Sequence, residues 1–123
     1  WSSDVCSSDL IDYGTDSAAS VDYPIYARKA AKAVASGQCD KGIVCCGTGI
    51  GVSITANKEK GIRCALCTNE FMAEMAKRHN NVNMLAFGAR ITPVEDVLKM
   101  VDIWLNAAFE EGRHQRRIDL IEM

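Results

Sequence analysis

The sequence predicts an α/β fold, a doubly wound parallel sheet with helices on both faces, and two observations predict it. Short continuous apolar runs such as Gly42-Ile43-Val44-Cys45-Cys46 suit strands buried on both faces, as strands of a parallel sheet are. These runs alternate with stretches of helical periodicity at the spacing of βαβ units. The 123 residues fit one domain. Composition is ordinary for a globular protein, 48% hydrophobic and 24% charged with a formal net charge of −2. That balance argues against non-specific nucleic-acid binding, which calls for a strongly basic surface. No apolar run approaches the ~20 residues that cross a bilayer, and the first residues have neither the basic nor the apolar region of a secretory signal. A cytoplasmic protein with no nucleic-acid or membrane partner is expected.

Residues 1–10 stand apart. Ser2-Ser3-Asp4-Val5 and Ser7-Ser8-Asp9-Leu10 form a near-repeat with neither apolar periodicity nor turn chemistry. The segment is expected to lie outside the fold, as a tag, cloning or assembly remnant or as a disordered arm, with the domain spanning residues 11–123. Tyr23-Pro24 opens the first helix, with Asp22 as its cap and proline in the first turn. Tyr26, Ala30, Ala33 and Val34 recur at helical spacing, and Ser36-Gly37 ends the helix. The strand Gly42 to Cys46 leads through a glycine-rich turn into a helix from about Val52 to Glu59. Ile62 to Cys67 reads as the next strand. Thr68 caps a helix reaching about Arg78, with Phe71, Met72, Met75 and Ala76 as its apolar stripe. Val82 to Phe87 is a further strand. Thr92-Pro93-Val94-Glu95 has the pattern of a capping box with proline at the first helical position. The helix it opens carries Val94, Val97, Leu98, Val101, Leu105 and Ala108 on one face.

Six cysteines need an account. Cys64 and Cys67 form a C-x-x-C, but within a strand rather than at a helix start, and odd spacing on a strand points the two side chains to opposite faces. No second ligand pair stands at a zinc-binding spacing. Cys39, Cys45, Cys64 and Cys67 are therefore expected to be small buried hydrophobes in a reduced compartment.

In an open parallel sheet, ligands bind beyond the carboxyl ends of the strands. The first such end is Cys46-Gly47-Thr48-Gly49-Ile50-Gly51, where the glycines let the backbone turn tightly and aim several N–H groups at one point. The Lys-Ser/Thr of a P-loop is absent, and the glycines follow G-x-G-x-G rather than the dinucleotide pattern. A thiol at a helix N-terminus has a lowered pKa. On the residues alone, both an activated Cys46 and a packed strand end remain open. The other strand ends deliver Thr68-Asn69 and Gly88-Ala89-Arg90. His79 sits near a helix C-terminus, where a plain surface histidine is the alternative reading. Arg113, Arg116 and Arg117 share one face if helical and suit bidentate phosphate binding, where a solvated basic tail is the alternative. A thiol base, an imidazole, an anion cradle and an arginine cluster fit a phosphorylated, enolisable substrate.

Asp22-Tyr23-Pro24, the Cys46-to-Gly51 run, Ala56-Asn57-Lys58, Gly61-Ile62-Arg63, His79-Asn80, Leu85-Ala86-Phe87-Gly88-Ala89-Arg90 and Glu111-Gly112-Arg113-His114-Gln115-Arg116-Arg117 together resemble the ribose-5-phosphate isomerase B family. That family includes galactose-6-phosphate and allose-6-phosphate isomerases, and the likeness runs in order from about Ile11 to Ile118. It implies a Rossmann-like three-layer sandwich and an aldose–ketose isomerisation through an enediolate, with no metal and no cofactor. The expected reaction is D-ribose 5-phosphate to D-ribulose 5-phosphate, with a hexose 6-phosphate as the alternative. Cys46 would be the base. The backbone of Gly47, Thr48, Gly49, Ile50 and Gly51, with the Thr48 hydroxyl, would hold the developing oxyanion. His79 would open the sugar ring and Asn80 bind a sugar oxygen. Arg90, Arg113 and Arg117 would bind substrate, the tail arginines serving the phosphate. A homodimer or homotetramer with shared active sites is implied. Family members also begin with a strand, an Asp-His-containing turn and a helix ahead of the segment matching Ile11. Without them, uncovered strand edges, poor stability and weak or absent activity are expected. Two rival classes are a non-catalytic phosphate- or nucleotide-binding module on the same loop, and a redox protein built on Cys45, Cys46 or the C-x-x-C.

Overall fold

Three short parallel strands set the frame. The computed structural model describes residues 10–14 and 22–123, so the near-repeat, apart from Leu10, lies outside the described residues. Strands β1 (Gly42–Cys46), β2 (Cys64–Leu66) and β3 (Met84–Gly88) pair in the order β1-β3-β2. β3 is central: Gly42 to Cys46 run beside Met84 to Gly88 on one side, and Cys64 to Leu66 beside Met84 to Ala86 on the other. Every residue of β3 is buried, as a strand covered on both faces and paired on both edges requires.

Helices α1 (Tyr23–Ala35) and α2 (Ile50–Asn57) cover one face, α3 (Glu70–Asn80) and α4 (Val94–Asn106) the other, and α5 (Arg113–Ile121) packs on α3. The alternation of strand side chains divides the core in two. Val44, Met84 and Ala86 join Ala27, Ala31, Val52 and Ala56, while Leu85 and Phe87 join Ala73, Ala76, Val97, Met100 and Trp104. This is the doubly wound α/β arrangement that the alternating pattern predicts. Among the described residues no helix is long and apolar enough to cross a membrane.

Several local expectations shift. β2 is shorter than Ile62 to Cys67 because side-chain amides take over the backbone groups beside it. The Asn57 amide bonds both the N–H and the carbonyl of Cys64, at 2.8 and 2.9 Å, and Asn83 Oδ1 accepts the Arg63 N–H at 2.9 Å. Asp22 holds the cap position of α1 without a side-chain bond. Asn69, not Thr68, caps α3 by accepting the Met72 N–H at 2.9 Å, while the Thr68 hydroxyl lies against the Met72 sulfur. The Thr92 capping box does not form: Pro93 takes the cap position of α4 and the Thr92 side chain is buried.

The two outer helices are also rotated from their expected faces. α4 turns Val97, Met100 and Trp104 inward and leaves Val94, Leu98 and Leu105 exposed. Trp104 fixes that rotation, since its buried indole N–H donates to the Val82 carbonyl at 3.1 Å. The ammonium groups of Lys41 and Lys77 lie 5.8 and 5.4 Å from its ring, within cation–π range. α3 faces the core with Ala73, Ala76 and the Lys77 stem, so that Phe71 and Met72 stand in solvent. Of the four cysteines expected to be buried, Cys67 is buried, Cys39 and Cys64 are half-buried, and Cys45 is exposed. Cys45 differs because β1 has a strand neighbour on one edge only among the described residues. It opens onto a shallow apolar pocket with Ile43, Phe87 and Pro93.

Trp104 is 1% exposed and is the largest side chain of its cluster. Trp104→Ala is expected to lower the unfolding free energy by about 3–5 kcal/mol. The reading is a lower urea midpoint at unchanged slope; a change within about 0.5 kcal/mol would show that the helix packing does not depend on this ring.

Candidate active site

Cys46 is the last residue of β1, and the chain turns from it into α2 through Gly47-Thr48-Gly49. Gly49 caps α2 at φ +82°, a left-handed conformation that costs glycine little. A Cβ at Gly88 would strike the backbone of Thr48, so the loop rests directly on the end of β3. The Ala89 N–H donates to the Cys46 carbonyl at 2.8 Å and the Arg90 N–H to the Gly47 carbonyl at 3.0 Å, which continues the ladder past both strands. The Arg90 guanidinium therefore lies over Gly47, 3.4 Å from where a Cβ would stand.

The N–H groups of this turn converge on sulfur. Cys46 Sγ accepts the Gly49 N–H at 3.2 Å. Burial pushes the Cys46 thiol up, but the N–H groups of Val52, Gly49, Thr48 and Gly51 together outweigh it and hold the thiol below its ordinary value. Cys45, one residue away, goes the other way: its side chain opens to solvent on one side, but the packing of the rest of it and the neighbouring Cys46 raise its thiol. The Thr48 hydroxyl is exposed and accepts the Ile50 N–H at 3.3 Å. Gly49, at the cap position of α2, has no side chain to offer, and the N–H groups of Gly51 and Val52 in the first turn face the Cys46 sulfur instead.

The remaining expected residues lie at the opposite end of the sheet. α3 runs back antiparallel to the strands, so His79 and Asn80 in its last turn precede Met84, whereas Cys46 pairs with Gly88. The length of β3, roughly 13 Å, separates the two levels. Arg63 organises this end. It donates to the carbonyls of Asn80 and Asn81 at 3.0 and 2.7 Å and pairs with Glu122 just past α5 at 2.7 Å. α5 buries His114 and Ile118 and presents Arg113, Arg116 and Arg117 to solvent.

The His114 ring stacks on that of His79, with centroids 4.2 Å apart and planes within 10°. Glu110 faces both: its Oε1 lies 3.7 Å from His79 Nε2 and 3.5 Å from His114 Nε2. Its Oε2 accepts from Arg78 Nε at 2.6 Å, and Arg78 also binds Glu74. The Arg78 hydrogen bond holds the Glu110 carboxyl below its usual range. Burial, with the adjacent His79 and Arg113, pushes the His114 imidazole below its ordinary value.

One chain thus brings together Cys46, the Gly47–Gly51 backbone, Thr48 and Arg90 at one end, and His79, Asn80, Arg113 and Arg117 at the other. Arg78, Glu110 and His114 were missed by the sequence reading. The only signal for them was the i, i+4 spacing of Glu110 and His114, which carries little weight because Glu110 lies ahead of the helix. His79, Glu110 and His114 are also the group whose donor atoms are close enough to share a metal ion among the described residues. The C-x-x-C is no redox pair. Cys64 packs in one core cluster and Cys67 in the other, and burial raises their thiols to about 12 and about 11.

A parallel α/β sheet with an activated thiol at a strand's carboxyl end and separate imidazole and guanidinium groups defines a protein built for proton transfer on an anionic substrate. The family model described as Ribose/Galactose Isomerase matches residues 4–121, and the chain belongs to that family. It is 48% identical over 113 residues to ribose-5-phosphate isomerase B of Escherichia coli, covering 92% of this chain and 76% of that protein. The solved ribose-5-phosphate isomerase B of Clostridium thermocellum is 53% identical, with a TM-score of 0.89 over 91% of this chain and 76% of the other. The Mycoplasma genitalium enzyme solved with bound ribulose-5-phosphate is 43% identical, with a TM-score of 0.84 over 89% of this chain and 73% of the other.

Alkylation of the native chain by iodoacetamide tests the cradle. Because the Cys46 thiol is held down, the fastest-reacting thiolate is expected to appear at a lower pH than any other and to map to Cys46 by peptide mass. Gly49→Ala, which disturbs the turn, is expected to move that inflection upward. Equal reactivity of Cys45 and Cys46 across the pH range would remove the activated-thiol reading.

Proposed function

We propose that this chain is an aldose–ketose isomerase that interconverts D-ribose 5-phosphate and D-ribulose 5-phosphate through an enediolate. The observation that carries the reading is the Cys46 thiol, lowered by the surrounding N–H groups at the carboxyl end of a parallel strand. Membership of the isomerase family and the names of its relatives support the choice of substrate.

In the open-chain aldose, the Cys46 thiolate removes the proton from C2. The electrons move into a C1–C2 double bond, and the carbonyl oxygen becomes the oxyanion. N–H groups of the Gly47–Gly51 turn, with the Thr48 hydroxyl, hold that charge where it develops. A proton passes from the C2 hydroxyl to the C1 oxyanion, and the thiol then returns its proton to C1 as the electrons on the C2 oxygen form the new carbonyl, leaving a C1 hydroxyl and a C2 ketone. Arg90 steadies the substrate beside the cradle. His79 moves the proton that opens the furanose ring, Asn80 binds a sugar oxygen, and Arg113 and Arg117 take the phosphate.

His79 and the tail arginines serve this reaction from a second copy of the chain, because within one chain they stand at the far end of the sheet. Exposed apolar side chains suited to such pairing are at hand, among them Val94, Leu98 and Leu105 on α4 and Ile50 and Ile54 on α2.

Ribose 5-phosphate conversion with EDTA present tests the reading, on this chain and on a form extended at its N-terminus to the length of the Escherichia coli relative. Cys46→Ala is expected to lower kcat/KM by about 10²–10⁴. Activity rises with pH as Cys46 deprotonates, and because the thiol is lowered, the rise comes below the range of an ordinary thiol. Mixing Cys46→Ala with His79→Ala chains is expected to restore part of the activity that each lacks alone. A folded protein inert toward ribose 5-phosphate but active on galactose or allose 6-phosphate would move it to the hexose branch. One that binds phosphate sugars without turnover would be a binding module.

A further inference from the structure

The donor atoms of His79, Glu110 and His114 all lie within 4.8 Å of one another. His114 is 6% exposed, and its Nε2 is buried with no hydrogen-bond partner. The atom it faces is Glu110 Oε1, itself an acceptor, at 3.5 Å. His79 Nε2 faces the same oxygen at 3.7 Å. Burying an unpartnered polar atom is costly. A cation held between the three atoms would relieve this.

We propose that His79 Nε2, Glu110 Oε1 and His114 Nε2 form a binding site for a divalent ion of the zinc class, and that the bound ion blocks His79. Two observations set the class of ion. First, a tetrahedral zinc ion with bonds of about 2.0–2.1 Å holds its ligand atoms roughly 3.4 Å apart, and the two observed separations are close to that spacing. Second, two imidazoles and one carboxylate favour zinc, copper or nickel over magnesium or calcium. Arg78 occupies Oε2 and so keeps Oε1 turned to the imidazoles, the arrangement in which an outer partner orients a ligand.

Stacked rings send their lone pairs along parallel planes, so coordination requires one ring to turn. The outer ring is free to do so: the His79 side chain is 39% exposed, against 8% for His114. The effect on catalysis rests on the isomerase reading, in which the imidazole of His79 transfers a proton. An ion on Nε2 occupies the lone pair that this transfer uses.

Binding and inhibition are measured separately. The native chain is titrated with zinc alone by calorimetry, and with cobalt(II) alone by visible absorption, in buffer without thiol or phosphate. One equivalent is expected, with a cobalt spectrum lacking thiolate charge-transfer bands, since the cysteines are not ligands. His79→Ala and Glu110→Gln, both at partly exposed positions, and His114→Ala are each expected to weaken binding at least about tenfold. Absence of binding to the folded chain, or binding unchanged in His79→Ala and Glu110→Gln, overturns the site. A thiolate-dominated cobalt spectrum overturns it as well. In the assay, zinc is expected to inhibit in step with occupancy and EDTA to reverse it. Full activity at saturating zinc overturns the block on His79. Because the titrations use no substrate, they read the site even if the chain turns over no sugar phosphate.

Discussion

Met84 to Gly88 is the segment on which the other elements depend. It is buried on both faces and, over Met84 to Ala86, paired on both edges, so its side chains must be apolar or absent, while the Gly88 carbonyl is taken by the N–H groups of Ile91 and Thr92. Its alternating side chains divide the core between the α1/α2 layer and the α3/α4 layer. Its final residue has no side chain, and only that lets the backbone of Thr48 cross the end of the sheet at close range. The active-site turn is in this sense an extension of the central strand's packing.

The parallel register has an electrostatic result. Carboxyl ends of the strands and the start of α2 lie together, so unpaired N–H groups gather where Cys46 ends its strand. At the opposite end, α3 and α5 bring in side chains rather than backbone: Arg63 satisfies the carbonyls of Asn80 and Asn81, and Arg78 neutralises Glu110. One end is a cluster of main-chain N–H groups, with the Arg90 side chain beside it. The other is a network of charged and aromatic groups held by ion pairs. The first is hard to alter without moving the sheet, whereas the second is exposed and adjustable at single residues.

The sequence made the strands, the Cys46 turn and the doubly wound class legible because each depends on local pattern: a short apolar run, glycines at a strand end, helical spacing. It misjudged what depends on partners. The faces of α3 and α4 were misread because Val94, Leu98 and Phe71 are as apolar as the residues that are buried, and the rotation is set by the Trp104 bond to Val82 and the small Ala73 and Ala76. Cys45 looked buried because its run looked central, whereas β1 pairs on one edge among the described residues. The separation of His79 from Cys46 follows from the antiparallel return of α3, and the His79–Glu110–His114 cluster from a loop contact across 31 residues of sequence that no local pattern encodes.

The strand order also constrains how the chain is made. β1 and β2 are never neighbours, and each pairs only with β3, which lies later in sequence than both. During synthesis at about 5–20 residues per second, β1 leaves the ribosome about two to eight seconds, and β2 about one to four seconds, before the segment that joins them. In that interval the backbone of Gly42 to Cys46, with two adjacent thiols, has no sheet partner among the described elements already made. Helix α1 and the turn into α2 can shield it, through the contacts these helices make with β1. Ordering of the Gly47–Gly51 turn must wait for Gly88, so Cys46 acquires its surrounding N–H groups only after most of the chain exists.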